Sequence, residues 1–238
     1  MMRVGLAALA MGAALVSSAQ AAPQKKTPVV ARSAWLQTVV ATPEGGVRMG
    51  NPAAKVKLIE FGSRTCPLCA RFDVEGLPAL KTGYIASGQV SYEFRDFPVH
   101  GALDLGPILL GQCVPTRAFF PILDAMMANQ KTLVGRSDAI PDAKQKELQT
   151  ATPNAIATYL AGFYGYTDFV VKHGLPLAKA NACLADRKKV DTLVARADAA
   201  SKAYAVAGTP TFVLNGAAQA NVYDWATLEP LLRAAVAK

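Results

Sequence analysis

Histidine is almost missing from this 238-residue chain, which has two, His100 and His173. Cysteine is sparse as well, at four residues. Together these shortages argue against a zinc centre, which takes four ligands, commonly two cysteine pairs or one pair with clustered histidines. Here Cys66 and Cys69 stand together, Cys113 and Cys183 stand alone, and neither histidine has ligand spacing. Charge is modest too, with 18% of residues charged against 52% apolar, the balance of a chain that buries a core. Aromatic residues make up 8% and are not interleaved with the basic groups at 25–26 and 187–189. The net charge of +8 therefore does not point to a nucleic-acid groove, and these basic groups read as solvated surface. No internal repeat or low-complexity tract is visible.

Long apolar runs are absent except at the N-terminus. Arg3 precedes an apolar run over residues 4–16, and the small-residue site Ala19-Gln20-Ala21 follows it. This is the layout of a secretory signal peptide cleaved after Ala21. The run is shorter than the roughly 20 residues of a membrane-spanning helix. The expected product is exported to the periplasm, an oxidising compartment, with a polar tether over residues 22–28.

Residues 56–61, VKLIEF, form a compact apolar run between Asn51-Pro52 and Gly62-Ser63, as a buried central strand does. Helical spacing follows from Pro67, through Phe72, Leu77 and Leu80, and Gly83 is expected to close that helix. Residues 90–94, VSYEF, are a second strand. Strand, helix and strand over this distance make a βαβ unit with parallel strands. A further strand is expected over residues 35–40. Helices are expected over 102–113, 115–129, 153–164, 178–185 and 186–206, the last with Asp186 as N-cap. Asn215-Gly216 signals a hairpin between residues 211–214 and 219–222. A last helix over 225–237 accommodates Pro230 only in its first turn. The fold class is α/β, a small mixed sheet interrupted by a block of helices.

Cys66 and Cys69 enclose Pro67 and Leu68 where the central strand gives way to a helix. A thiol at a helix N-terminus meets unsatisfied N–H groups and the positive end of the helix dipole, which favour thiolate. Pro67, which lacks an N–H, suits the first turn. Cys66 is then the exposed nucleophile and Cys69 the resolving thiol. A purely structural disulfide here would close so small a ring that it would staple little. Glu60, beneath the motif, is a candidate to carry a proton to or from Cys69, the alternative being a half-exposed strand glutamate. Pro210, in Gly208-Thr209-Pro210-Thr211-Phe212, precedes a strand. It is either a plain trans turn or a cis bond that turns the Thr209 backbone toward an incoming peptide.

With Glu60, CPLC and GTPTF in place, the chain resembles the DsbA-like branch of the thioredoxin superfamily. The resemblance also covers RMGNPAAKVKLIEFGSRTCPLC, YEFRDFPVHG and the stretch from ACLADRKKV through GTPTFVLNG. It implies a thioredoxin fold, assigned here to residues 48–101 and 186–238, with a helical insertion over 102–185 and an N-terminal extension over 22–47. It implies thiol–disulfide exchange with reduced exported proteins, a cis Pro210 packed on the disulfide, attack at Cys66, and a membrane reoxidant of the DsbB kind, with no cofactor. Pro67, Leu68, Thr209 and Pro210 would form the loop that meets substrate. In the family a histidine commonly precedes the second cysteine. Leu68 stands there instead and offers no hydrogen bond, so the pair is expected to be less oxidising. Branches of the family join two cysteines placed like Cys113 and Cys183, and the alternative is two buried free thiols. Asp96 and His100 are expected to be buried or capping residues. Phe119, Phe120, Phe163, Tyr164 and Tyr166 either line a groove or, more in keeping with their numbers, fill the core.

Overall fold

A computed structural model describes Met1 and residues 34–135 and 140–238. The expected signal peptide and tether lie outside these residues, apart from Met1. Six strands form one mixed sheet: β1 (Val39–Ala41), β2 (Val47–Met49), β3 (Val56–Gly62), β4 (Val90–Asp96), β5 (Thr211–Leu214) and β6 (Ala217–Ala218), in the order β1-β2-β4-β3-β5-β6. β3 and β4 run parallel, as the βαβ reading requires, and every other pairing is antiparallel. β3 is therefore central, and its register sets Glu60 opposite Phe94 on one side and Phe212 on the other.

The expected strand over residues 35–40 is only half right. Residues 34–37 form a helical turn, with the Thr38 hydroxyl donating to the Ala34 carbonyl at 2.9 Å, and extended structure begins at Val39. β1 and β2 pair across the turn at 43–46, so part of the expected N-terminal extension belongs to the sheet.

Helix α1 (Pro67–Glu75) does not run to Gly83. It ends at Gly76, whose N–H donates to Phe72 O at 2.8 Å. The chain continues through one turn (Leu77–Ala79) into a π-helical stretch (Leu80–Ile85) that contains Gly83. Gly76 is required by close approach, since a Cβ there would lie 2.8 Å from the Cβ of Trp225.

The middle of the chain is helical: α2 (Ala102–Gly111), α3 (Phe119–Ala128), α4 (Gln130–Val134), α5 (Asp142–Gln149), α6 (Pro153–Phe163), α7 (Tyr166–Lys172) and α8 (Leu177–Ala185). Three of these, α4, α5 and α7, escaped the sequence reading. α5 buries no residue, so it carries no apolar stripe to detect. α9 (Arg187–Tyr204) follows, its N-cap Asp186 accepting from the Lys189 N–H at 3.3 Å.

The Asn215-Gly216 turn takes positive φ at both residues, 49° and 86°, as a tight hairpin demands. Its second strand is Ala217–Ala218 rather than 219–222; only the Gln219 N–H still reaches back, to Phe212 O at 2.8 Å. Helix α10 (Trp225–Ala237) carries Pro230 in its interior, not its first turn. Pro230 and Ala226, whose carbonyl loses its i+4 donor, both face solvent, where water can replace the missing bond.

One contiguous core joins the sheet to the inserted helices. Leu58, Tyr92, Phe94 and Phe212 meet Phe72 of α1, Leu228 of α10, and Ile108, Phe120, Leu123 and Val170 of the insertion. Phe119, Phe120 and Tyr166 are buried in this core, while Phe163 and Tyr164 are half-buried. A smaller cluster on the opposite face joins Phe61 and Val213 to Ala200 and Val206.

Cys113, just past α2, and Cys183, on α8, are joined as a disulfide with Cα atoms 6.3 Å apart. It ties together chain segments 70 residues apart. Replacing both with alanine is expected to cost about 4 kcal/mol on the loop-closure account, read as a lower urea midpoint with the Cys66–Cys69 pair held in one redox state.

Candidate functional site

β3 leads into the turn Ser63-Arg64-Thr65, which is almost fully buried. Three polar side chains in a row must find partners inside the protein, because a buried unpaired polar group costs free energy. Ser63 and Thr65 both donate their hydroxyls to Asp104 Oδ1, at 2.7 and 2.5 Å. His100 donates its backbone N–H to Asp104 Oδ2 at 2.7 Å, and its Nδ1 lies 2.7 Å from the Thr65 hydroxyl. Arg64 is 0% exposed. Its Nε donates to Asp96 Oδ1 at 2.8 Å, and Gln112 donates to Asp96 Oδ2 at 3.1 Å. The guanidinium carbon lies 5.1 Å from the centre of the Phe119 ring. Gly111 makes room for it, since a Cβ there would meet the guanidinium carbon at 2.3 Å. Asp96 thus takes the buried role expected of it, whereas His100 is exposed and the N-cap of α2 is Gly101, so the expectation for His100 is not met. Arg64, Thr65 and Asp104 were missed. The signal for Arg64 was a cation placed directly between an apolar strand and the cysteine motif.

Cys66 is the N-cap of α1, with φ −77° and ψ 121°, and Pro67 occupies the first turn. Both cysteines are free thiols. The expectation of an exposed nucleophile is corrected: Cys66 is 6% exposed and Cys69 0%, while Leu68 between them is 38% exposed. The cover is the Thr209–Pro210 loop. Its peptide bond is cis, and Thr209 O accepts a hydrogen bond from the Cys66 thiol at 3.1 Å.

The environment drives the two thiols apart. Cys66 is lowered to about 5, chiefly by the hydrogen bond that Cys69 offers its sulfur, against the opposing effect of burial. The Thr209 side chain and the N–H groups of Cys69 and Leu68 add to the lowering. Thr209 Oγ1 is buried and, among the described residues, has no hydrogen-bond partner while Cys66 is a protonated thiol. Cys69 is raised well above an ordinary thiol, by burial first, then by its bond to Cys66 and the charge of Glu60.

Glu60 is 2% exposed and accepts from the Tyr92 hydroxyl at 2.7 Å. Burial pushes it up to about 8, more than the Tyr92 bond pulls it down. The alternative of a half-exposed strand glutamate is therefore excluded. Asp73, one turn beyond Cys69 on α1, is raised to about 7 by burial and by the carboxylate of Asp124. It was also missed.

Two grooves flank Leu68. One, of about 900 Å³, runs between α1 and the insertion along Val74, Met127, Lys131 and Val134. The other, of about 510 Å³, passes Thr209, Pro210, Gln219 and Tyr223.

A CxxC pair opening a helix, set against a cis-proline loop and above a buried carboxyl group, defines a dithiol protein of thioredoxin fold. The chain belongs to the Thioredoxin family, which matches residues 42–234. It is similar in structure to a protein-disulfide isomerase from Novosphingobium aromaticivorans, with TM-score 0.74 and 30% identity over 80% of this chain and 97% of that one. Wolbachia pipientis alpha-DsbA1 shares the fold at TM-score 0.61 and 17% identity, over 87% of this chain and 96% of that one. A Rickettsia bellii chain carrying the name protein-disulfide oxidoreductase is 27% identical over 173 residues, 73% of this chain and 58% of the relative. This chain thus spans little more than half the length of that relative.

Thr209→Val keeps the shape of the loop and removes its hydroxyl donor. It is expected to raise the Cys66 pKa by roughly one unit, the worth of a hydrogen bond of about 1 kcal/mol, read from thiolate absorbance against pH. For Glu60 the sign runs the other way. Its folded pKa of about 8 lies above the ordinary 4.5, so its contribution to stability is complete below pH 4.5 and is lost as pH rises through 8. Glu60→Gln is expected to remove that loss, gaining on the native protein steadily between pH 5 and 8 in urea midpoints and levelling off above that. A constant difference across that range would contradict it.

Proposed function

We propose that this protein is an exported thiol–disulfide oxidoreductase, acting as an oxidase that passes the Cys66–Cys69 disulfide to folding proteins. The observation that carries the reading is the asymmetry of the pair, a stabilised Cys66 thiolate beside a Cys69 thiol that resists ionisation. A substrate thiolate attacks Cys66 Sγ. The bond to Cys69 breaks, and Cys69 leaves with the electron pair. Glu60, protonated below about pH 8, supplies its proton. A second substrate thiolate then attacks the substrate sulfur of the mixed disulfide. Cys66 departs as a thiolate, the substrate gains its disulfide, and the enzyme is left reduced. A low leaving-group pKa speeds that last step and stabilises the reduced enzyme, which makes the pair oxidising.

Thr209 and Pro210 and the two grooves beside Leu68 would hold the substrate chain. The compartment is the periplasm, reached through the expected signal peptide, and reoxidation would come from a membrane protein of the DsbB kind. No helix among the described residues is long and apolar enough to cross a membrane.

A second reading, isomerase or reductase, is favoured by Leu68 in place of a family histidine and by the likeness to a protein named as an isomerase. Redox titration against glutathione separates the two. An oxidase is expected to sit well above about −200 mV, toward the roughly −120 mV of DsbA, whereas a midpoint near thioredoxin's −270 mV would rule it out. Cys66→Ser is expected to abolish oxidation of a reduced substrate. Full activity in that variant would instead favour a binding module with a structural CxxC.

A further inference from the structure

The backbone carbonyls of Arg64 and Cys66 share a single donor. Gln130 is the first residue of α4 and is 5% exposed. Its side-chain Nε2 donates to Arg64 O at 3.1 Å and to Cys66 O at 3.0 Å. An amide NH₂ carries two hydrogens, so both bonds form at once. The groups held are the Arg64–Thr65 and Cys66–Pro67 peptide planes. The bracket therefore spans the backbone torsions of Thr65 and of Cys66.

Those torsions matter because Cys66 is an N-cap in extended conformation. That conformation folds a capping side chain back over the first turn, where N–H groups lack intrahelical partners. The N–H groups of Leu68 and Cys69 favour the thiolate there, although the thiol itself makes no capping hydrogen bond. Pro67 cannot help to fix the turn through its own nitrogen, which has no hydrogen. The Cys66 carbonyl accepts within the strand–helix unit only from the Ala70 N–H, at 3.1 Å. The bracket comes from outside that unit, from the inserted helices.

We propose that Gln130 is a positioning residue for the dithiol: it clamps the backbone of Cys66 so that the sulfur faces the α1 N-terminus, making the insertion part of the reaction centre. The inference rests on the reading of Cys66 as the attacked sulfur. It predicts that the reduced enzyme depends on Gln130 more than the disulfide form does, because the thiolate that the clamp serves exists only after reduction.

The test uses two variants of the purified protein. Gln130→Met keeps length and burial but removes both donors, and Gln130→Leu removes them with a shorter, branched apolar chain. Three quantities are read: the Cys66 titration by thiolate absorbance, the equilibrium constant with glutathione, and the thermal midpoints of both redox forms. Both variants are expected to move the Cys66 midpoint up by at least one pH unit, cutting the thiolate fraction about tenfold below that midpoint. The glutathione equilibrium should shift by a similar factor toward the disulfide form of the enzyme, with the reduced form losing more thermal stability than the disulfide form. An unmoved Cys66 titration with equal losses in both forms would overturn the inference, leaving Gln130 a structural tie. Should the variants not fold, the reduced native protein answers instead. The Gln130 side-chain amide resonances must then shift with an inflection at the Cys66 midpoint, and flat resonances overturn the proposal. If native Cys66 titrates near an ordinary 8.5, the functional reading fails as well, an outcome distinct from an unmoved midpoint beside a low native value.

Discussion

A guanidinium with no access to water stands two residues before Cys66, and the geometry of the dithiol depends on how it is held. Burying a charge this completely is costly, and the attraction of a partner offsets the cost only with good geometry. Arg64 meets that condition with Asp96, itself pinned by Gln112, and with the face of Phe119. These partners come from β4, from the residue after α2 and from the start of α3. The turn that delivers Cys66 is therefore fastened to three elements at once. Removing either member would strand a buried charge, which costs more than the pair itself contributes. Ser63 and Thr65 repeat the arrangement in neutral form, both bound to Asp104. The loop before the cysteines is consequently tied down at three successive side chains, whereas loops as a class are the mobile parts of a fold.

On that support, two chemically identical thiols become different reagents. Cys66 lies where N–H groups, the Cys69 thiol and the Thr209 hydroxyl converge, and the thiolate is favoured. Cys69 lies one turn deeper with no exposure, near a carboxyl group, and the thiol is favoured. The same burial that holds Cys69 neutral raises Glu60 into the range where it can exchange a proton near neutral pH. Position along one helix turn thus assigns a leaving group and a proton-bearing partner. Leu68, whose side chain offers no hydrogen bond, adds a backbone N–H that favours the Cys66 thiolate and an exposed apolar surface between the two grooves.

Elements with strong local signals were legible beforehand. β3, β4, the N-cap at Asp186 and the Asn-Gly turn announce themselves through alternation, capping chemistry and the need for positive φ. Elements that lack such signals were not. α5 has no apolar stripe, and Gly76 ends α1 because Trp225, far along the chain, comes within contact. Pro230 sits mid-helix because its orphaned carbonyl partner faces water, which depends on how α10 lies against the sheet. Cys66 was expected to be open, but the loop that covers it begins 143 residues later.

By itself the sequence determined the chemistry that is local: a cysteine pair at a strand-to-helix junction, a proline where only the start of a helix accepts one, and a carboxyl group on the strand beneath. These follow from neighbours within a turn or two, where spacing alone sets geometry. Tertiary structure decided what those groups are worth. The pairing of Arg64 with Asp96 across 32 residues, the bracket from Gln130, the burial of Glu60 and the approach of Thr209 are all long-range. They tune charge through desolvation and hydrogen-bond direction, and both are set by which side chains the folded core brings together.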